Sequence, residues 1–226
     1  MLISIPQVLN QDELRLCRTK LENTKWSDGL GSAGYLSQAV KKNQQLPDEH
    51  PLAQELGTLI LQKLDQNPLF MSSALPLKVL PPLFNRYSGD GNYGRHVDGS
   101  IRPIAGTPHR IRTDLSATLF LSEPDDYEGG ELVIEDTFGS RSVKFKAGDM
   151  VLYPSTSVHK VEPVTEGVRL ASFFWIQSMV REDKQRSILY ELDNAIQKIA
   201  TDTPEQSALT DLAGVYHNLL RSWGDT

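Results

Sequence analysis

Leu14, Cys17 and Leu21 recur at helical spacing with polar residues filling the positions between them. Asn10 stands where it caps such a helix, Glu13 is its capping-box partner, and Leu9 and Leu14 sit where a hydrophobic staple forms. This pattern makes Cys17 a core filler rather than a nucleophile. A second helix is predicted from about Pro51, with Leu52, Leu56, Leu59 and Ile60 on one face. The intervening "SDGLGSAGYLSQAVKKNQQL" has neither period and reads as a long loop of the kind that borders sites.

From about Leu77 to Gln177 the helical period gives way to short strand-like runs. They are "LKVLPPLFNRY", "RTDLSATLFLS", "GELVIED", "RSVKFKAGDMVLYP", "HKVEPV" and "VRLASFFWIQS", separated by turn signals such as "SGDG", "YEGG", "TFGS" and "TEG". Many short strands without alternating helices predict a sandwich or barrel, most simply a jelly roll. After Met179 the helical period returns in Ile188, Leu189, Leu192, Ile196 and Ile199. Thr203, Pro204 and Gln206 then form a capped start for a last helix carrying Leu209, Leu212, Tyr216, Leu219, Leu220 and Trp223. The expected class is α+β: an N-terminal helical segment (1–77), a double-stranded β-helix core (78–178) and a C-terminal helical extension (179–226). The apolar stripes of that extension either pack on the sheet or form a homo-oligomer contact.

Composition narrows the picture. With 39% hydrophobic and 23% charged residues, the 226-residue chain is expected to bury a core. A formal charge of -6 argues against nucleic-acid binding through a basic surface. One cysteine forms no intramolecular disulfide. Neither a secretory signal nor a membrane-length apolar run is evident, so a cytoplasmic protein with no membrane partner is expected.

The candidate chemistry begins at "YGRHVDGS". In extended backbone, residues two apart point to the same side, so His96 and Asp98 can reach one ion. His159, at the start of a later strand, is the candidate third ligand, and a jelly roll brings such distant strands together. Two histidines and one carboxylate leave coordination positions open, as in non-haem Fe(II) oxygenases; zinc takes the same donors when a general base stands nearby. Arg169 shares a strand face with Ala171, Phe173 and Trp175. A guanidinium there needs an anion: the distal carboxylate of a dicarboxylate co-substrate, or an internal acid such as Glu162 or Glu166. No G-x-S-x-G elbow supports a serine hydrolase.

Taken together, "RYSGDGNYGRHVD", the "GGELVIED" hairpin and "KAGDMVLYPSTSVHKVEPVTEGVRLASFFW" resemble the Fe(II)- and 2-oxoglutarate-dependent dioxygenases of the prolyl 4-hydroxylase-like branch, most closely the bacterial PKHD-type hydroxylases. The resemblance covers roughly Lys78 to Ser178 through its motifs. It implies His96, Asp98 and His159 as catalytic iron ligands, Arg169 as the 2-oxoglutarate anchor, and Tyr87 as a further co-substrate contact. Ala171 stands where some branches carry a serine, so a hydroxyl beside Arg169 has to come from Tyr87 or Thr118. Asp98 favours hydroxylation over halogenation, since halogenating relatives lack this carboxylate. The implied reaction converts 2-oxoglutarate and O₂ to succinate and CO₂ while hydroxylating a substrate, with ascorbate as a reductant and a link to iron uptake. A protein side chain, a peptide and a small molecule all fit as substrate. The alternative is a non-catalytic sensor that binds metal and a 2-oxo acid.

Several neighbours carry weaker readings. Arg95 is expected to pair with Asp90. The segment from Ile101 to Arg112, with Arg102, His109 and Arg110, forms either a basic lip for an acidic substrate or a solvated loop. His109 is the runner-up third ligand. His50 and His217 read as surface or packing residues, and Asp149 as a turn former.

Overall fold

The computed structural model of the chain describes residues 1–32, 38–136, 139–202 and 206–225. Helix α1 (Gln11–Glu22) starts as its local sequence dictates. The Asn10 side chain accepts the Asp12 and Glu13 amides at 3.0 Å each, and Glu13 Oε2 accepts the Asn10 amide at 2.9 Å. Helix α2 (Pro51–Asp65) has proline in its first turn, and His50 caps it, Nδ1 accepting the Leu52 amide at 3.1 Å. His50 is therefore a capping residue. The short α3 (Pro68–Ala74) is capped by Asn67.

Two antiparallel sheets form the core. The major sheet contains β1 (Ile3–Ile5), β2 (Ser27–Asp28), β4 (Gln44–Gln45), β5 (Pro76–Val79), β6 (Leu83–Tyr87), β10 (Leu115–Phe120), β14 (Met150–Pro154) and β16 (Arg169–Ser178). Its order is β1-β14-β10-β16-β6-β4-β2, with β5 also on β16. The minor sheet contains β3 (Lys41–Lys42), β7 (Gly91–His96), β11 (Tyr127–Gly129), β12 (Leu132–Asp136), β13 (Gly139–Val143) and β15 (His159–Gly167). Its order is β13-β12-β15-β7-β3, with β11 also on β15. A separate hairpin joins β8 (Ile101–Pro103) to β9 (Arg110–Arg112).

Both faces of the major sheet are covered, which is why all six residues of β10 are buried. Leu115, Ala117 and Leu119 join Leu152, Leu170 and Phe174 against Leu14, Cys17, Leu21, Leu56 and Ile60 of the helices. Fully burying such an aliphatic side chain contributes roughly 1.5–3 kcal/mol. Cys17 has no solvent exposure, and burial pushes its thiol pKa up to about 11, as befits a core filler. The opposite residues of these strands, including Phe120, Val151 and Tyr153, meet Leu132, Ile134, Val161 and Val164 of the minor sheet. The result is the jelly roll expected from strand spacing.

The segment from Ser27 to Leu46 departs from its long-loop reading. Residues 27–28 and 44–45 extend the major sheet, and 41–42 extend the minor one. Two-residue strands are too short to show a period of two. Beyond the sheets, α4 (Asp183–Asp202) and α5 (Gln206–Trp223) pack around Leu75, Val180 and Leu189. The start of the chain is tied to this extension by the Met1 ammonium, 3.0 Å from Asp183 Oδ2. The Thr203–Pro204 cap proposed for the last helix lies outside the described residues.

Candidate active site

Pairing of β7 with β15 sets His96 directly opposite His159. One ligand atom from each histidine and one carboxylate oxygen of Asp98 lie within 4.8 Å of one another, a group that could hold a metal ion. The imidazole rings are 4.2 Å apart, and His159 Nε2 is 3.7 Å from Asp98 Oδ2. Each ring is oriented by its own backbone. His96 Nδ1 lies 2.8 Å from Gly94 O, and His159 Nδ1 lies 3.0 Å from Ser157 O. A carbonyl only accepts, so each Nδ1 carries the proton and each Nε2 keeps its lone pair for a metal. Gly94 is required here, because a Cβ on it would sit 2.7 Å from Val40 Cβ. Burial, and secondarily the neighbouring His159, hold the His96 pKa down at about 4.

Asp98 is fixed from the other sheet. Ser116 Oγ lies 2.6 Å from Asp98 Oδ2 and 2.7 Å from Ser155 Oγ. Tyr93 stacks on His96 with ring centroids 3.6 Å apart. None of these three supporting residues was singled out from the sequence. Ser116 was within reach of the alternation rule, since it points inward from β10. Tyr93 was not, because register shifts along β7–β15 break the period of two.

Arg169 opens β16 two residues after Gly167, where φ is +73° and a Cβ would lie 2.1 Å from Asp126 O. Its side chain is 1% exposed, and its Nε and Nη2 have no hydrogen-bond partner. The guanidinium lies 5.3 Å from the ring centroids of both Tyr87 and Phe120. Neither acid considered as an internal partner is paired with it, and Glu162 instead meets Lys160 at 2.5 Å. Tyr87 is opposite Arg169 in the β6–β16 ladder, and its hydroxyl accepts Asn85 Nδ2 at 3.2 Å. Burial pushes the Tyr87 pKa up to about 12. The Tyr127 hydroxyl lies beside the same guanidinium but outside good hydrogen-bond geometry, and burial raises its pKa against the pull of Arg169.

His96, Asp98, His159, Tyr87 and Arg169 all line one cavity of about 490 Å³ between the sheets, together with Thr118. The β8–β9 hairpin, read from sequence as a lip or a loop, places Arg102 in this cavity, 3.7 Å from the Trp175 ring centroid. Its other cations stay outside. Arg112 makes a bidentate pair with Asp114 at 2.6 and 2.9 Å, while His109 and Arg110 are exposed away from the cluster. Arg95 pairs with Glu135 at 2.5 and 2.6 Å, not with Asp90, because the β12 carboxylate lies across the strands. Lys41 also lines the cavity, donating to Gly29 O at 2.6 Å and Gln45 Oε1 at 3.2 Å. Burial, and secondarily Arg102, pull its pKa down to about 8. Asp149 accepts the Gln7 amide at 2.8 Å, a turn contact remote from the cavity.

Facing sheets that enclose two imidazoles, a carboxylate and an unpaired guanidinium define a protein of the Fe(II)- and 2-oxoglutarate-dependent oxygenase class. Residues 82–177 match the 2OG-Fe(II) oxygenase superfamily, and residues 183–225 match the PKHD-type hydroxylase C-terminal domain. The chain is 59% identical over 226 residues to a PKHD-type hydroxylase of Parvibaculum lavamentivorans, covering 100% of both chains. It is 55% identical over 225 residues to the PKHD-type hydroxylase PiuC of Pseudomonas aeruginosa, again covering 100% of both. The chain belongs to the PKHD-type hydroxylase family. Among solved structures, a Pseudomonas putida prolyl-4-hydroxylase aligns with TM-score 0.51 and 21% identity, over 78% of this chain and 92% of that one. HygX from Streptomyces hygroscopicus, bound to nickel and 2-oxoglutarate, aligns with TM-score 0.53 and 18% identity over 80% and 84%. At these identities the structural likeness speaks for the fold. Among the described residues, no helix is long and apolar enough to cross a membrane.

Proposed function

We propose that His96, Asp98 and His159 hold Fe(II), that Arg169 anchors the distal carboxylate of 2-oxoglutarate, and that Tyr87 flanks that carboxylate. The observation that carries this reading is the Arg169 guanidinium, fully buried with two nitrogen positions unpartnered and lining the cavity that holds the His-Asp-His cluster. A buried charge of this kind is costly until an anion meets it, and a carboxylate matches its fork. The donor set fits a divalent iron as well: two Nε2 lone pairs and one carboxylate, with positions left for a chelating co-substrate and O₂.

When bound, Fe(II) supplies the O₂ chemistry that couples decarboxylation of 2-oxoglutarate to succinate with hydroxylation of the substrate. The chain's own residues do the rest. Gly94 O and Ser157 O fix the imidazole tautomers, Ser116 steadies the carboxylate, and Arg169 with its aromatic neighbours sets the depth of the co-substrate. Phe173 and Trp175 add apolar wall that limits water. Ascorbate as a reductant, a cytoplasmic location and a link to iron uptake belong to the same reading. So does the division at residues 77/78 and 178/179. The exposed apolar side chains of Ile188, Ile199 and Val215 support a homo-oligomer through the C-terminal helices.

The test is an anaerobic titration of metal-free protein with Fe(II), then 2-oxoglutarate, followed by visible absorbance. A charge-transfer band that is absent in His96→Ala is the expected result. Bound iron without any band would overturn the co-substrate assignment. A band without succinate formation across protein, peptide and small-molecule substrates would favour a sensor.

A further inference from the structure

We propose that the cavity contains a second anion subsite, at Arg102 on the Trp175 ring, and that the hydroxylated substrate carries a carboxylate which docks there. The inference rests on the assignment of Arg169 to 2-oxoglutarate, which leaves Arg102 as the other guanidinium lining the cavity.

Arg102 differs from the neighbouring arginines in what it lacks. Arg95 and Arg112 are each closed by a bidentate carboxylate. Among the described residues, no carboxylate reaches ion-pair distance of Arg102, although the fields of Asp98 and Asp48 favour its charge. Asp98 belongs to the metal cluster. Burial is the largest influence on Arg102, and it disfavours the charge that the group carries. The guanidinium lies over the indole of Trp175 at 3.7 Å. Stacking engages the face of the group, whereas its N–H donors lie in the plane and stay available to a ligand.

The hairpin that carries Arg102 is packed on the core and hydrogen-bonded at its base. Arg102 opposes Ile111 in the β8–β9 hairpin, and Ile111 is 1% exposed in a small apolar cluster with Leu80, Leu83 and Trp175. The hairpin base is pinned by Thr113 Oγ1 on Gly99 O at 2.8 Å and by the Arg112–Asp114 pair. Lys41 adds a second positive charge to the same cavity, close enough that Arg102 lowers its pKa. Two like charges in one cavity repel, and an anion between them relieves the repulsion. A planar fork selects a carboxylate, from either a free small acid or an acidic side chain of a peptide.

The experiment uses the full chain loaded anaerobically with Fe(II) and saturating 2-oxoglutarate, so that Arg169 is already occupied. Benzoate represents a free acid and acetyl-aspartyl-amide an acidic peptide side chain; benzamide and acetyl-asparaginyl-amide are their neutral counterparts. Binding is read from quenching of Trp175 fluorescence, identified by its loss in Trp175→Phe. At least one acid is expected to bind tenfold or more tightly than its neutral counterpart, and the tighter acid identifies the source of the carboxylate. Arg102→Gln is expected to shrink that preference below threefold, with Arg102→Lys restoring part of it. Equal preference in the unmodified protein and Arg102→Gln would overturn the proposal. The Fe(II)–2-oxoglutarate band is recorded in the same samples. Its loss in Arg102→Gln alone would make Arg102 a positioning residue for Asp98, which also overturns the subsite. Its absence in the unmodified protein would remove the co-substrate reading, and the proposal with it.

Discussion

Replacing Arg169 with methionine separates a ligand-binding role from a structural one, because the two predict opposite patterns of stability. The guanidinium is 1% exposed with Nε and Nη2 unpartnered. Exchanging a buried charge for an apolar side chain relieves a desolvation penalty of about 1–4 kcal/mol, the range by which apolar replacement of buried ion pairs stabilises. The loss of two aromatic contacts, with Tyr87 and Phe120, costs about 0.5–2 kcal/mol each. These ranges offset each other, so the ligand-free variant should stay within about 3 kcal/mol of the unmodified protein. The ligand-dependent part does not cancel. Two charge-assisted hydrogen bonds of about 1.5 kcal/mol or more each amount to about 3 kcal/mol, or roughly 100-fold in 2-oxoglutarate affinity. At 100 times its dissociation constant, 2-oxoglutarate stabilises the unmodified protein by about 2.7 kcal/mol. For a chain of this size that raises Tm by about 5–11 °C. At the same concentration Arg169→Met should gain only about 1 °C. Thermal unfolding with Mn(II) as a redox-inert metal, with and without 2-oxoglutarate, measures both quantities. An undiminished 2-oxoglutarate shift, or a ligand-free loss above about 4 kcal/mol, would refute the reasoning and make Arg169 structural.

Other perturbations test the remaining parts. His96→Ala and Asp98→Ala are each expected to abolish succinate formation while leaving circular dichroism and cooperative unfolding intact; unfolding of both variants would instead indicate a structural metal. Ser116→Ala removes the 2.6 Å hydrogen bond to Asp98 and should weaken metal binding about 10-fold in competition with a chelator. The folded-state pKa of Lys41, about 8, lies below its unfolded value, so the unfolded chain binds more protons between about pH 8 and 10.4. Stability from this group is therefore present above about pH 10.4 and lost as pH falls through 8. Lys41→Met should remove that slope from urea midpoints measured across this window, and an identical pH profile in the variant would discount burial of the Lys41 charge.

The legible part of the site is the part built from rare residue types on regular strands. Five histidines in the chain, one of them two residues from Asp98, leave few candidate ligand sets. Arg169 stood out because a strict period of two put it among Ala171, Phe173 and Trp175, and the described strand keeps that alternation, with Leu170 and Phe174 on the helix-covered face. The supports of the site were less legible because they depend on pairings between strands distant in sequence. Ser116 reaches Ser155 only through the β10–β14 register, and Tyr93 reaches His96 only past a register shift. The strands at Ser27, Lys41 and Gln44 are too short to carry a pattern. The β8–β9 hairpin was hidden for a different reason: Pro103 and the glycine-containing stretch before Arg110 read as a loop, although three residues on each side pair.

The division of labour between the sheets has a physical basis. The imidazoles come from adjacent minor-sheet strands, where ladder hydrogen bonds hold His96 opposite His159 and backbone carbonyls fix their tautomers. The Arg169 guanidinium comes from the central part of the major sheet, whose other face is buried under helices. Arg169 is 1% exposed on a sheet packed against helices, so its donors are held away from solvent. On the proposed reading, the positive charge is in place before any ligand arrives and the orientation of the anion is settled in advance. The same reasoning gives the flanking helices a functional part without any contact to the cavity. Truncating Leu56 to alanine, a residue 1% exposed in the helix–sheet core, should cost about 2–5 kcal/mol. If bracing matters, 2-oxoglutarate affinity falls in that variant at temperatures where it remains folded; if affinity is unchanged there, the helices stabilise the sheet without preorganising Arg169.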